Sequence, residues 1–587
     1  MTRASPRFWI IWLAACRRWG RSHAVGHVAV AIVVGALAGA SVTAMTAIAE
    51  VMHVAIYGIA FDERLSAQAR VSPIAAFAAM GLGGFVLGLF EFWRRRRKAR
   101  PSVDPVEANA LRGGRLSLGD GFVVVGQTLL SNGCGASVGL EAGYAQIGSA
   151  IGSKLGLALK LRRPDQRMLL GCGAAGAIAA AFAAPLTGAF YAFELIIGEY
   201  SLANAGPVIA AALAGSLTVR TLGGAPYNVT APPVQTLGLA QHAALIVLGL
   251  VSAALGVGAM RAAALFERAF LASRLPVWAR PVAGGCLLAA LAAYTPQVLG
   301  AGHGALGLDI SLRLGMGALT VLIALKLVAC LVSLASGFRG GLFFASLFVG
   351  ALLGKLFVAV LAVLAPSFAL DPTASLFAGM GTLSVAIVGG PLTMTFLVLE
   401  SSGDLGLAGG VLAACIGTSV AVRATFGFSF STWRLHLRGE NVRSAHDIGW
   451  LRELTVGRMM DRDPAVAPSS QTLDEFRAAH PLGSAHYVVL KDEFGRYAGL
   501  VAVPEAHAEP QKPLQSIAEL ARLANATLAP DMQAKEALAA FEAAQSEILA
   551  VVDPGDGSLL GALGEAYAAR RFAQALNRSA QSAAENV

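Results

Sequence analysis

Glu141 is the residue whose surroundings first suggest chemistry. It lies in SVGLEAGYAQIGSAIG, residues 137–152, at the expected start of a helix, between Gly139 and Gly143. An ionisable side chain inside an apolar segment is costly to keep and marks a functional candidate. At a helix N-terminus the free N–H groups and the dipole offset part of that cost. The same amides, Ala142 among them, could instead bind an anion from water. A carboxylate and a small anion would then compete for one place, which is the physical basis of a gate. Protonating Glu141 would vacate the site.

A second element with similar properties is SGFRGGLFFASLFVG, residues 336–350. Gly340 and Gly341 permit close backbone approach before Leu342, Phe343 and Phe344 begin a helix. Their amides could face the same ion. Arg339 either attracts anions or anchors the segment. No ring of acids and no TVGYG-type filter is present, which argues against a cation pore.

These elements need a membrane body to position them, and the composition supplies one. The chain has 587 residues with 67 Gly, 24 Pro, 56% hydrophobic and only 14% charged residues, and a mean hydropathy of +0.63. Soluble domains carry about 25% charged residues. This excludes a disordered chain, a disulfide scaffold and a single soluble enzyme domain. Close packing of helices through small residues is the expected alternative. Residues 440–587 hold 20 acidic and 13 basic residues, whereas the preceding 439 hold 16 and 32. An apolar basic body therefore precedes a polar acidic tail. The basic residues flank apolar stretches, as topology determinants do, so the pI near 9.4 does not call for nucleic acid.

Apolar runs free of Asp, Glu, Lys and Arg cover 24–49, 71–90 and 372–399, each long enough to cross a bilayer core of ~20 residues. Others near 205–219, 239–260, 280–308 and 316–336 are shorter or broken by Gly or Pro, as in transporters with interrupted helices. Residues 8–15 are too short to span, and 1–23 are expected to form an interfacial segment. Arg17, Arg18 and Arg21 precede the first span and Arg94 to Lys98 follow the second. The positive-inside rule makes that side cytoplasmic, and the tail should lie there too.

The body repeats. APLTGAFYAFE (184–194) matches GPLTMTFLVLE (390–400), and GSAIGSK (148–154) upstream matches GALLGK (350–355). Duplicated halves with broken helices place a substrate site near the midplane. The six cysteines form no CxxC pair and read as buried small hydrophobes. The ten histidines show no zinc spacing, no nucleophile–base pair emerges, and an intramembrane hydrolase is the unfavoured reading from another class.

In this order, these residues resemble the ClC family of chloride channels and chloride/proton exchangers, over roughly 24–440. GLEAGYAQIG (139–148) looks like the family's GREGPxxQIG element, with Glu141 at the gating glutamate. GGLFFA (340–345) looks like its GGxFxP element, with Leu342 and Phe343 where backbone amides hold chloride. Residues 179–194 match another family signature. The resemblance implies an all-α polytopic body of inverted repeats, spanning 24–440, with one pore per subunit of a homodimer. It places Ser102, in Pro101–Pro105, at the family's ion-coordinating serine, although the flanking glycines are missing. The family's pore tyrosine should fall in residues 428–439, where none occurs; Ser431 aligns best and Phe430 next. Exchangers of the family usually carry a second, internal glutamate directly after the position of Glu194, and here that residue is Leu195. A passive anion channel is the expectation, with a chloride/proton antiporter as the alternative.

Beyond a linker (441–454), residues 455–587 read as two similar α/β units, one containing HYVVLKDEFGRYAGLVAVPEA (486–506), the other 526–576. They resemble a tandem CBS pair, an α+β domain. Such pairs can bind adenine nucleotides through a Ser or Thr followed three residues later by Asp. Here Ala502 precedes Glu505 and the second copy offers Tyr567, so a scaffold without nucleotide or other cofactor is expected.

Overall fold

The computed structural model describes residues 24–61, 63–224, 236–312, 314–437, 454–509 and 516–572. The expected interfacial segment and nearly all of the linker lie outside them. The chain divides into two compact units, Met1–Asp447 and Ile448–Val587.

The first unit opens with α1 (Ala24–Tyr57) and α2 (Pro73–Arg96), then α3 (Pro105–Arg112), α4 (Leu118–Gly133), α5 (Glu141–Ala158) and α6 (Arg163–Phe182). A short α7 (Pro185–Tyr191) runs on as a π-helical turn, Ala192–Ile197. Next come α8 (Leu202–Thr221), α9 (Leu239–Ala272), α10 (Arg280–Tyr294), α11 (His303–Ser311) and α12 (Met316–Ser336). The unit finishes with α13 (Phe343–Leu364), α14 (Pro372–Ile387), α15 (Pro391–Ser402), α16 (Leu405–Thr425) and α17 (Phe430–Leu437). Among the described residues, seven helices are long and apolar enough to cross a membrane. Their outward faces carry exposed large apolar groups, such as Leu37 on α1 and Leu82 on α2, as lipid contact requires.

One sequence expectation needs correction. The run 372–399 does not form a single span but two helices, α14 and α15. Gly389 (φ 93°) and Gly390 (φ 72°) take left-handed backbone between them, which a residue with a Cβ resists, and Pro391 then starts the next helix. Uninterrupted hydropathy conceals this break. Cys286 is also exposed on α10, whereas Cys134, Cys172, Cys330 and Cys415 are buried as expected.

The repeat is visible in the packing. In the first half, α5 crosses α6 so closely that a Cβ on Gly148 or Gly152 would collide with the carbonyl of Gly173 or Leu169. In the second, α13 crosses α14 in the same way, with Gly350 against the Gly379 carbonyl and Gly354 against that of Ser375. The upstream sequence match is thus a pair of equivalent helix crossings, each relying on glycine for backbone contact.

The second unit contains two three-stranded sheets with the same topology. In one, β1 (Val466–Pro468) pairs parallel with β2 (Tyr487–Lys491), which pairs antiparallel with β3 (Tyr497–Ala502). In the other, β4 (Thr527–Leu528), β5 (Ile548–Val552) and β6 (Leu559–Gly564) repeat that order. The helix Leu473–Ala479 links β1 to β2, and Ala534–Ala544 links β4 to β5. Val489 and Leu500 of one copy and Ala550 and Ala562 of the other share a buried cluster. The two similar α/β units expected from the sequence are thus two copies of one strand order packed together.

Candidate functional site

The two Gly-rich elements are far apart in sequence and meet in space. Gly139 N–H donates to the Gly341 carbonyl at 2.9 Å, and Gly341 N–H donates back to Gly139 at 3.0 Å. Immediately after these residues, α5 starts at Glu141 and α13 at Phe343, so two helix N-termini converge on one point. Dipole-positive ends brought together in an apolar interior make an anion-attracting locus without a full cation.

The four glycines make this approach possible. A Cβ on Gly340 would lie 2.5 Å from the Val138 side chain, and one on Gly143 would lie 2.8 Å from Met45. A Cβ on Gly341 would lie 3.1 Å from Glu141 Oε2 and 3.2 Å from the Ala142 nitrogen, so that amide belongs to the same locus. On Gly139 a Cβ would collide with the Glu141 carboxylate itself. The Glu141 side chain is therefore folded back over the bridge between the two elements. It is 4% exposed, Oε2 has no hydrogen-bond partner, and the backbone amides of Glu141 and Phe344 are directed at the carboxyl group. An acid is seated where an anion would sit.

Aromatic rings surround the start of α13. Phe182 lies 5.1 Å from Phe343 and 6.3 Å from Phe344, ring centre to ring centre. Tyr191, at the end of α7, lies 6.1 Å from Phe343. Leu342 lines an apolar cavity with Ser346, Ile387 and Phe430. It is Phe430, not Ser431, that reaches this cavity; nearby, Ser429 and Thr432 bond each other at the start of α17.

Ser102 is buried in the loop before α3, where Arg94 reaches its Oγ at 3.4 Å. The loop is tied to the gate helix, because Gln146 of α5 donates to the Val103 carbonyl at 2.9 Å. Asp104 caps α3 through Val106 N–H at 2.8 Å. Ser102 thus flanks α5 on the side of the basic cluster. Arg339 is held against α4, its N–H on Ser131 Oγ and its guanidinium on Gln127 Oε1 at 3.2 Å, which favours anchoring.

Glu194 and Leu195 occupy different environments. Glu194 accepts from Leu392 N–H, Thr393 N–H and Thr393 Oγ1 at 3.0, 2.8 and 2.6 Å. Leu195 packs toward Gly389. Glu199 is exposed.

Sequence reading missed two groups beside the gate. His303, the first residue of α11, has Nε2 4.0 Å from Glu141 Oε1, and its ring stacks on Phe344 at 3.7 Å between centres. Lys326 of α12 is fully buried and donates to the carbonyls of Val298 and Gly300 at 3.1 and 2.7 Å, fixing the loop that leads to α11. Only the Gly302–His303–Gly304 flank, a polar residue between glycines as at Glu141, signalled the first in sequence. Among the described residues no cluster of His, Cys, Asp or Glu could hold a metal ion.

Broken apolar helices in two matching halves, with two helix N-termini joined around a buried acid, define a multi-span membrane protein built to hold a small anion inside the bilayer. Residues 82–423 match the family model described as voltage gated chloride channel, more than half of the chain, and the chain belongs to that family. A putative chloride channel protein ClcB-like of Ralstonia nicotianae is 29% identical over 373 residues, covering 62% of this chain and 86% of the relative. The voltage-gated ClC-type chloride channel ClcB of Citrobacter koseri is 29% identical over 368 residues, 61% of this chain and 87% of the relative. Among solved structures, a slow cyanobacterial Cl−/H+ antiporter superposes with a TM-score of 0.60 at 22% identity, covering 70% of this chain and 97% of that one. A eukaryotic CLC transporter does so with a TM-score of 0.59 at 15% identity, covering 92% and 97%. These structures share the fold. Family membership makes the protein an anion transporter of the membrane.

Proposed function

We propose that the protein is a passive, glutamate-gated channel for chloride or a similar monovalent anion. The observation that carries this reading is the pair Glu194–Leu195. A second proton site is needed to move protons against an anion gradient. Leu195 cannot bind one, and the Glu194 carboxylate is committed to three hydrogen bonds at the start of α15. The amides of Ala142, Leu342, Phe343 and Phe344 hold the ion when the Glu141 side chain leaves. Ser102 lines the route on the basic side, and Tyr191, beside Phe343, supplies the aromatic hydroxyl that residues 428–439 lack.

The Arg94–Lys98 cluster sets that side as cytoplasmic, with the CBS pair on the same side of a bacterial inner membrane. Two copies, each with its own pore, form the working assembly. The deciding experiment is a flux assay in proteoliposomes. An imposed chloride gradient should move chloride without uphill proton movement; stoichiometric proton uptake would establish the antiporter instead.

A further inference from the structure

The gate has a second titratable member. His303 faces the Glu141 carboxyl group across 4.0 Å, and its ring is fixed face-on to Phe344, one of the residues whose amide is directed at that carboxyl. The position is built rather than incidental. Gly302 takes φ 99°, and a Cβ there would lie 2.6 Å from the Phe348 ring, so only glycine lets α11 start this close to α13. Ser66 Oγ accepts from Gly304 and Ala305 N–H at 3.0 and 3.2 Å, fixing the first turn of α11 from another part of the chain. Lys326 holds the loop before it.

The location sets the direction of access. The turn at 65–67 joins the far ends of α1 and α2, opposite the Arg94–Lys98 end, and α11 packs on that turn. With the basic cluster cytoplasmic, His303 lies on the outer side of the gate, and its side chain keeps 30% of its surface exposed. Glu141, by contrast, is closed off.

We propose that His303 is the outward-facing proton donor to Glu141, a positioning and relay residue through which external pH reaches the gate. This deepens the channel reading and rests on Glu141 being its gate. In the step, the ring closes the 4.0 Å gap, external water protonates one ring nitrogen and the other gives its N–H proton to a Glu141 carboxylate oxygen, so the ring starts and ends neutral. The neutral carboxyl then loses its charge-assisted hold on the amides and leaves the site to the anion.

The other charged groups around the ring are Arg64, Lys326 and His53. Arg64 is engaged by Glu50 of α1. His53, also on α1, bonds the Asn132 carbonyl at 3.0 Å. Lys326 is bonded to two carbonyls. Tyr144 of α5, near Glu141, Arg64 and Glu50, bonds Thr46 at 2.7 Å. Glu141 is the acid that faces His303 directly.

The test is chloride flux against external pH in proteoliposomes for wild type, H303F, H303Q, E141Q and H303F/E141Q. H303F keeps a ring over Phe344 and removes the titratable nitrogen; H303Q serves if that variant does not fold. The expected result is a downward displacement of the pH midpoint by about one unit, because without the relay a roughly tenfold higher external proton concentration is needed to open the gate. The effect should vanish in the E141Q background. An unchanged midpoint in H303F or H303Q, with E141Q flattening the profile, overturns the proposal and leaves the gate intact. An unchanged profile in E141Q itself overturns the underlying channel-gate reading.

Discussion

Glu194 and Glu400 each cap the helix that belongs to the other. Glu400, on α15, accepts from Leu186 N–H, Thr187 N–H and Thr187 Oγ1 at 2.8, 2.8 and 2.7 Å at the start of α7. Glu194, in the turn that continues α7, does the same at the start of α15. The exchange is reciprocal, so the two elements are related by an approximate two-fold axis. Each carboxylate meets the dipole-positive end of a half-length helix and satisfies amides that lipid could not.

Removing either cap should destabilise the protein without touching the gate. Glu400→Gln keeps the shape and loses the charge-assisted bonds, at a cost of about 1–3 kcal/mol. Glu194→Gln should cost the same, since its three bonds are the mirror set. A lowered midpoint in detergent thermal unfolding, with an unchanged pH profile of flux, is the expected outcome. Stability equal to wild type in both variants would remove the caps from the energetics.

The glycine crossings make a sharper test. Gly148→Ala and Gly350→Ala each place a methyl group against a backbone carbonyl that no rotamer change can move. Overpacking of this kind costs about 1–3 kcal/mol or more. Gly126→Ala, on α4 where a Cβ would meet nothing, is the control. Reduced yield of folded protein by size-exclusion chromatography should follow the first two and not the third.

Glu141→Gln and Glu141→Ala should both flatten the dependence of anion flux on external pH. On the proposed reading, wild type should conduct freely below the pH at which the carboxyl protonates, and flux should fall above it as the charged side chain holds the site. Neutral variants lack the second state. Flux assays across a pH series would show this, and a profile that still falls with rising pH in Glu141→Gln would place the gate elsewhere.

Adenine nucleotide should leave the full-length protein unaffected. Glu505, at the position the resemblance assigns to ribose contact, is paired with Arg522 at 3.1 Å, and Ala502 offers no hydroxyl. Titration of ATP into purified protein should give no heat of binding. Micromolar affinity would show that the CBS pair senses nucleotide.

Much of the architecture was readable in the amino-acid sequence because it depends on local signals. Gly-rich turns before apolar helices located both Glu141 and the 340–344 segment, and the Pro-Leu-Thr repeat located α7 and α15. In the tail, alternating apolar strands around DEFGR and DPGDG gave β2–β3 and β5–β6. What escaped depends on distance in the chain. Nothing near His303 announces that its partner is Glu141, and nothing near Lys326 announces two carbonyls from the loop before α11. The split at Gly389–Gly390 escaped for another reason: hydropathy averages over it, whereas the backbone angles do not.

The crossings and the caps have a mechanical consequence. Each half is locked internally where helices touch backbone to backbone, and the halves are stapled to one another at the Gly139–Gly341 bridge and again at the exchanged carboxylates. Rocking one half against the other would have to break both staples, whereas vacating the Glu141 site asks only for rotation of one side chain about its own bonds, a far smaller excursion than the domain movements that take microseconds to milliseconds in alternating-access carriers.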